Sequence, residues 1–258
     1  MKLDPKLRIC IGDVNDFEPN ILNELSIGVE LQDFVDPKLL DGDLESRVRG
    51  YQEKLEDFGQ DVSVHGPFLD LSPGSPDELI SEVTRKRYMQ AVDAALELKA
   101  SHLVLHSQHN TAIKDSKVKE KKIKRQLPFW KEVLEKISEE DLVIVLENVT
   151  ENDPVHLLNL VIGIDSPQLK ICYDVGHSLL HSSRDIETWV EVLKEYMEYV
   201  HIHWNAGDID AHRDPRNEFI KRFYSVLDEN GIDPIVALED EIDDIEKEVN
   251  RVRDRIDF

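Results

Sequence analysis

The sequence predicts a single domain over residues 1–258 with the (β/α)₈ barrel fold, the TIM barrel of the α/β class. The chain has 258 residues, which is a usual length for one such barrel. Short apolar, β-branched runs alternate along it with longer amphipathic segments, and there are eight of these runs, the number that closes the barrel. No glycine-rich GxGxxG motif follows a predicted strand, which disfavours an open nucleotide-binding sheet.

Each predicted strand is short and almost continuously apolar, as expected for a parallel strand that is covered on both faces. In chain order the predicted strands are Arg8–Gly12, Ile27–Gln32, Val62–His65, His102–His106, Leu142–Glu147, Leu169–Asp174, Tyr199–His203 and Pro234–Glu239.

The segments between the strands carry apolar residues at helical spacing. The predicted helices cover Leu44–Phe58, Asp77–Lys99, Lys117–Ile137, Val155–Ile162, Asp185–Tyr196, Pro215–Asn230 and Asp240–Ile256. Ser81 is expected to act as a capping residue of the second helix, and Gly231 is expected to stop the sixth.

The charge of the chain disfavours a polyanionic partner. There are 54 acidic and 31 basic residues, so the net charge is −23 and nucleic acid is repelled at long range. The basic run from Lys114 to Arg125 is a local exception, and the sequence leaves open whether it is a solvated helix face or a phosphate or partner contact. No apolar run is long enough for a membrane span or a signal peptide, and the two cysteines are far apart, so we expect a cytoplasmic protein.

Six consecutive predicted strands end in a residue that can bind a metal ion. These residues are His65, His106, Glu147, Asp174, His203 and Glu239. In a barrel the carboxyl ends of the strands meet at one mouth. Histidine, aspartate and glutamate together suit Zn²⁺, Mn²⁺, Fe²⁺ or Co²⁺, and several carboxylates buried together without a cation would be costly. The pattern therefore predicts a metal site at this mouth.

Three further residues follow the strands closely enough to support the site, namely His177, Asp210 and His212. The other histidines are expected to be structural: His102, His109, His156, His181 and His201. His201 lies two residues before His203 on the same strand, and it is expected to point away from the barrel interior, into the helix layer.

Several motifs resemble those of the xylose isomerase-like superfamily, which contains sugar isomerases and epimerases and also endonuclease IV. The motifs are HGPFLDL (His65–Leu71), LVLHS (Leu103–Ser107), VLENVT (Val145–Thr150), CYDVGH (Cys172–His177), HIHWN (His201–Asn205), DAH (Asp210–His212) and ALED (Ala237–Asp240). They run in order from the third strand to the eighth, whereas the first 60 residues add only Glu30 at the end of the second strand.

For the sugar branch, the resemblance implies one divalent ion, Zn²⁺, Mn²⁺ or Co²⁺, held by Glu147, Asp174, His203 and Glu239. It also implies that Glu147 and Glu239 are the catalytic acid and base of a sugar or sugar-phosphate isomerase or epimerase. Such a metal polarises the C=O/C–OH pair while one carboxylate removes a carbon-bound proton and another returns it. Further residues are expected to bind metal or substrate: His65, His106, His177, Asp210, His212, Glu30 and Arg213.

For the nuclease branch, the resemblance implies three Zn²⁺ ions and a phosphodiesterase that acts at abasic sites in DNA. Its nine ligands map to His65, His106, Glu147, Asp174, His177, His203, Asp210, His212 and Glu239, and every residue type is present. The sequence therefore leaves the number of ions per chain open, between one and three.

The sugar branch is favoured by the net charge and by the stretch HGPFLDLSPGSPD, which lacks the arginine and tyrosine expected of a groove-probing nuclease. RDPRNE follows DAH where sugar-branch proteins commonly have a glycine-rich loop, so Arg213 or Arg216 either contacts a phosphate or carboxylate or belongs to a surface helix start. A metal-loaded binding protein without catalysis is the third alternative.

Overall fold

A computed structural model describes residues 6–109, 111–205, 207, 209–240 and 242–256. Within them eight parallel strands pair in sequence order and close into a barrel, because β1 (Leu7–Ile11) pairs both with β2 (Gly28–Leu31) and with β8 (Ile235–Leu238). The other strands are β3 (Val62–His65), β4 (His102–His106), β5 (Val143–Glu147), β6 (Leu169–Asp174) and β7 (Met197–Ile202). The predicted (β/α)₈ fold is thus confirmed.

Ten α-helices lie in the described part of the chain. They are α1 (Pro19–Leu25), α2 (Pro37–Gly42), α3 (Leu44–Leu55), α4 (Glu78–Glu97), α5 (Ser116–Glu135), α6 (Val155–Ile164), α7 (Val175–His181), α8 (Ile186–Leu193), α9 (Asn217–Glu229) and α10 (Ile245–Ile256). None of the described helices is long and apolar enough to cross a bilayer.

The capping residue of α4 and the start of α10 differ from the prediction. The cap of α4 is Asp77, not Ser81, because Asp77 has an extended backbone and its Oδ1 accepts from the amides of Leu79 and Ile80, while Ser81 lies inside the first turns. Similarly, α10 starts at Ile245 and not at Asp240, with the Oδ1 of Asp244 accepting from the Lys247 amide, so Asp240, Asp243 and Asp244 precede the helix.

The core has two parts. Between the strands and the helices lies the larger one, whose biggest members are Trp130 and Trp189. Inside the barrel a smaller cluster fills the lower half: Val104, Val145, Cys172, Tyr199, Ile235 and Ala237. Buried Arg8 lies 5.4 Å from the Tyr199 ring centre, and the Tyr199 hydroxyl is hydrogen-bonded to Ser63 Oγ at 2.8 Å. Packing closes this end, and the polar residues collect at the other.

Candidate metal centre

The carboxyl ends of the strands place the predicted ligands at one mouth. His65, His106, Glu147 and Asp174 are the last residues of β3, β4, β5 and β6. His203 and Glu239 each lie one residue beyond the end of their strand. Their side chains are buried. Among the three carboxylates, that of Glu239 is the most exposed, at 11%.

A compact group of carboxylates and imidazoles forms the deepest part of the site. His201 Nδ1 lies 3.6 Å from Glu147 Oε2, 3.7 Å from Asp174 Oδ2 and 3.3 Å from Glu239 Oε2. His203 Nε2 lies 3.1 Å from both Asp174 oxygens and 3.9 Å from Glu239 Oε2. The ligand atoms of Asp174, His203 and Glu239 all lie within 4.8 Å of one another, as do those of Glu147, Asp174 and His201.

This group fits a divalent cation. Among the described residues, His201 Nδ1 and Glu239 Oε2 are buried atoms that have no hydrogen-bond partner. An unsatisfied buried polar atom is costly, and both atoms face the same small space. Imidazole and carboxylate donors without a thiolate suit Zn²⁺, Mn²⁺ or Co²⁺.

The expectation for His201 was wrong. Its side chain is fully buried inside the barrel, where Nε2 is 3.0 Å from Glu30 Oε2. Because successive side chains of a strand alternate, residues two apart share a face, and His201 and His203 therefore enter the barrel together with Tyr199. Gly176 leaves room for the second imidazole, since a Cβ on Gly176 would lie 2.2 Å from His203 Cε1.

The other predicted residues surround this group. His65 Nε2 and His106 Nε2 lie 3.2 and 3.4 Å from Glu147 Oε2. On the opposite side Asp210 Oδ2 is 3.1 Å from His177 Nε2 and 3.4 Å from His212 Nε2.

The His212 ring also stacks on His203, with centroids 4.0 Å apart and planes inclined by 1°. All nine residues that match the nuclease ligand set therefore meet at the mouth, and His177, His203, Asp210 and His212 form a further group that could hold an ion.

Glu30 and Arg213 occupy different positions from these nine. Glu30 is fully buried below the mouth, where it contacts His201. Arg213 is exposed, its backbone pairs with Trp204, and it does not line the cleft. The basic run forms the loop before α5 and its first turns, where Lys119 Nζ is 3.0 Å from His156 Nε2 and Lys124 pairs with Glu120 at 2.7 Å.

The surroundings move the pKa values of the two predicted catalytic carboxyls in opposite directions. Burial raises the pKa of Glu147, but the charges of His106 and His201 and the hydrogen bonds from histidines outweigh it, so its pKa lies well below the usual value. Burial also raises the pKa of Glu239, and the net effect of His201, Asp174 and Glu147 leaves it raised. Groups of one type with opposite shifts are typical of acid and base partners.

Above the group lies an open cleft of about 470 Å³, a size that suits a small ligand. Several residues that line the cleft have no role predicted from the sequence: Gln32, Val35, Phe68, Leu69, Asp70, Gln108 and Val149. Gln32 Nε2 donates to Glu239 Oε1 at 2.8 Å and to Glu30 Oε1 at 3.1 Å. Its position two residues after Glu30, on the same face of the predicted strand, is a sequence signal that could have identified Gln32 as a residue of the site. Phe68, which belongs to the HGPFLDL motif, stacks on His106 with ring centroids 4.3 Å apart.

Known proteins share this architecture. The chain matches the structure of a D-tagatose 3-epimerase-like protein and that of the TTHB071 protein from Thermus thermophilus soaked with ZnCl₂, each with a TM-score of 0.76, 22% identity and 97% coverage of both chains. D-Psicose 3-epimerase from Clostridium cellulolyticum has a TM-score of 0.72 and 13% identity, over 98% of this chain and 97% of that one. At these identities the likeness concerns the fold.

Two sequence comparisons extend the likeness. An uncharacterized protein of Methanocaldococcus jannaschii, MJ1311, is 28% identical over 204 residues, which are 74% of this chain and 68% of that protein. The sequence model of the family described as xylose isomerase-like TIM barrel matches residues 27–258. The resemblance seen in the motifs is thereby confirmed, and the chain belongs to the xylose isomerase-like TIM barrel family.

Proposed function

We propose that this protein is a divalent-metal-dependent sugar isomerase or epimerase. The observation that carries the proposal is the pair Glu147 and Glu239, which come from β5 and β8, face the same imidazole nitrogen of His201 and have pKa values moved in opposite directions. The similar solved structures whose names describe sugar epimerases support the choice of substrate class.

The proposed ligands are Glu147, Asp174, His203 and Glu239, and the unpartnered Nδ1 of His201 faces the same space. When bound, Zn²⁺, Mn²⁺ or Co²⁺ would polarise the carbonyl and hydroxyl oxygens of the sugar and make the carbon-bound proton more acidic.

The chain itself supplies the proton transfer. Glu147 and Glu239 approach the same nitrogen of His201 from β5 and β8, so one of them is suited to accept the proton from carbon and the other to return a proton to the neighbouring carbon or to the opposite face. The imidazoles around them would orient substrate hydroxyls: His65, His106, His177 and His212. Phe68 and Leu69 cover one side of the cleft and would limit the access of water.

Exchange of a substrate proton with solvent tests this function. In D₂O, the metal-loaded protein should exchange a carbon-bound proton of a ketose such as D-tagatose, measured by NMR. Glu147→Gln and Glu239→Gln should each suppress the exchange, whereas Glu82→Gln, an exposed change on α4, should leave it unaltered. Exchange that survives both site substitutions would contradict the assigned roles.

The nuclease remains the second candidate because all nine matching residues meet at the mouth. It predicts metal-dependent nicking of a plasmid that contains abasic sites, abolished by Glu147→Gln. It also predicts that His177→Ala or His212→Ala removes a second or third ion, whereas in a one-metal sugar enzyme these changes leave the metal content intact. We expect no nicking, because the net charge of −23 opposes DNA binding.

A further inference from the structure

The charges around the cleft select between an uncharged sugar and a phosphorylated one. We infer that the substrate is an uncharged sugar and that phosphate esters are rejected, which rests on the proposed function. Among the described residues that line the cleft, none is lysine or arginine. Four lining residues are acidic, namely Asp70, Glu147, Asp210 and Glu239, and buried Asp174 lies directly beneath them.

The histidines of the cleft do not supply an excess of positive charge. His177 lies 3.1 Å from Asp210, His65 lies 3.2 Å from Glu147, and His212 lies 3.4 Å from Asp210. A proton on any of these imidazoles therefore neutralises a carboxylate that is already present. One divalent ion would offset two of the carboxylates, which still leaves a phosphate dianion beside acidic side chains and without a lysine or arginine among the described lining residues.

The usual phosphate position of this fold is also acidic here. In (β/α)₈ barrels a phosphate is frequently held by the loops after the seventh and eighth strands and by a helix amino terminus. In the loop after β8, the Asp244 carboxylate accepts from the backbone amide of Lys247 in the first turn of α10. A phosphate at this position would meet this carboxylate instead of the free amide.

The arginines of the loop after β7 do not compensate for this. The Arg216 guanidinium lies 5.2 Å from the centre of the Trp204 ring, and exposed Arg213 does not line the cleft. Apolar side chains cover the opposite wall, with Val35, Phe68 and Leu69 among them. Such a wall fits the C–H groups at the uncharged end of a free sugar better than it fits a solvated phosphate.

Paired ligands test the inference directly. Binding of D-tagatose and of D-tagatose 6-phosphate to the Mn²⁺-loaded protein is measured by calorimetry, and the pair D-fructose and D-fructose 6-phosphate is treated in the same way. We expect each free sugar to bind at least ~10-fold more tightly than its ester, with the ratio growing at low ionic strength because repulsion is less screened. An ester that binds as tightly as its free sugar at low salt overturns the inference.

A substitution at the rim provides the matched comparison. Leu69→Lys adds an ammonium group to a residue that lines the cleft and is 57% exposed, so it should narrow the preference against the esters several-fold. Leu79→Lys makes the same change on α4, at a residue that is 72% exposed and outside the cleft lining, and it should leave the preference unaltered. An equal effect of both variants would assign the selectivity to the overall charge and contradict the local account.

The same protein separates this inference from the proposed function. A free sugar that is bound in preference to its ester but exchanges no proton in D₂O contradicts the proposed function and leaves the charge selectivity standing. An ester that exchanges its proton faster than the free sugar contradicts the charge selectivity and leaves the proposed function standing. Failure of both members of both pairs to bind counts against the two together.

Discussion

Glu30 shows how a residue outside the cleft lining can control the candidate centre. It is fully buried, and its carboxylate lies 3.0 Å from His201 Nε2, 3.1 Å from Gln32 Nε2 and 3.6 Å from Cys10 Sγ. With Nε2 donating to Glu30, a neutral His201 would present Nδ1 as an acceptor to a cation bound among the other carboxylates. A carboxylate behind a histidine in this way fixes the tautomer and the orientation of the ring.

Replacing this carboxylate should weaken metal binding without opening the fold. We expect Glu30→Gln to lower the affinity for Zn²⁺ by ~10- to 100-fold, the usual effect of losing such an orienting group. Competition with a chromogenic chelator measures it, and Glu82→Gln on the surface of α4 is the control. An affinity equal to that of the wild type would mean that His201 does not take part in binding the ion.

Gly176 is the second residue on which the centre depends. An alanine here would bring its Cβ within 2.2–2.4 Å of three atoms of the His203 ring, so the ring must leave its present position beside Asp174. We predict that Gly176→Ala loses most of the rise in melting temperature that a divalent metal gives the wild type, because that rise reflects binding to the native state. Gly42→Ala, at the end of α2 with nothing within 4 Å, should keep it. Equal metal-induced shifts in both variants would show that His203 adapts.

At the scale of the elements, the hydrophobic pattern predicts all eight strands to within two residues at each end, because each strand is buried on both faces. It does not predict α1, α2 or α7, which have six or seven residues and are too short to show a helical period. The meeting of the six strand-end residues at one mouth is expected because parallel strands end together, whereas the entry of His201 into the barrel is not. The contacts of Glu30 and Gln32 could not be predicted in this way, because they cross the barrel from β2 to β7 and β8.

The start of α4 allows a test of how one cap contributes to the fold. Asp77 Oδ1 accepts from the amides of Leu79 and Ile80 at 3.0 and 3.4 Å, and these amides have no partner inside the helix. Asp77→Ala should lower the free energy of unfolding by about 1 kcal/mol. Urea denaturation of the metal-free protein measures the loss. Glu82→Ala removes an exposed carboxylate from the second turn of the same helix and should change stability by less than about 0.5 kcal/mol. A similar loss in both variants would point to general charge effects.

At the scale of the whole molecule, protons and metal ions are expected to compete for the same side chains of the candidate site. Burial lowers the pKa of His212, but the hydrogen bond to Asp210 and the charge of Glu239 outweigh it and raise the pKa to about 9. Burial likewise opposes protonation of His177, whose neighbours Asp174 and Asp210 nevertheless raise its pKa well above the usual value. In the metal-free protein both imidazoles therefore carry a proton at neutral pH.

Metal affinity should consequently rise with pH. A bound cation is repelled by these imidazolium groups, or displaces their protons, so the affinity should increase from pH 6 and level off above about pH 9, where His212 is neutral. Calorimetric titrations in buffers of different ionisation enthalpy would also detect the protons released on binding. An affinity that is constant between pH 6 and pH 9 would show that neither histidine is linked to the metal.

The pairing of β1 with β8 has a consequence for the order of folding. Leu7 pairs with Val236, so the hydrogen bonds that close the barrel join the two most distant strands of the chain, and β1 presents an open edge until they form. Of the four proposed ligands, Glu239 follows β8 and is therefore the last to be synthesised. On the ribosome, the complete proposed ligand set thus forms only after the eighth strand is present.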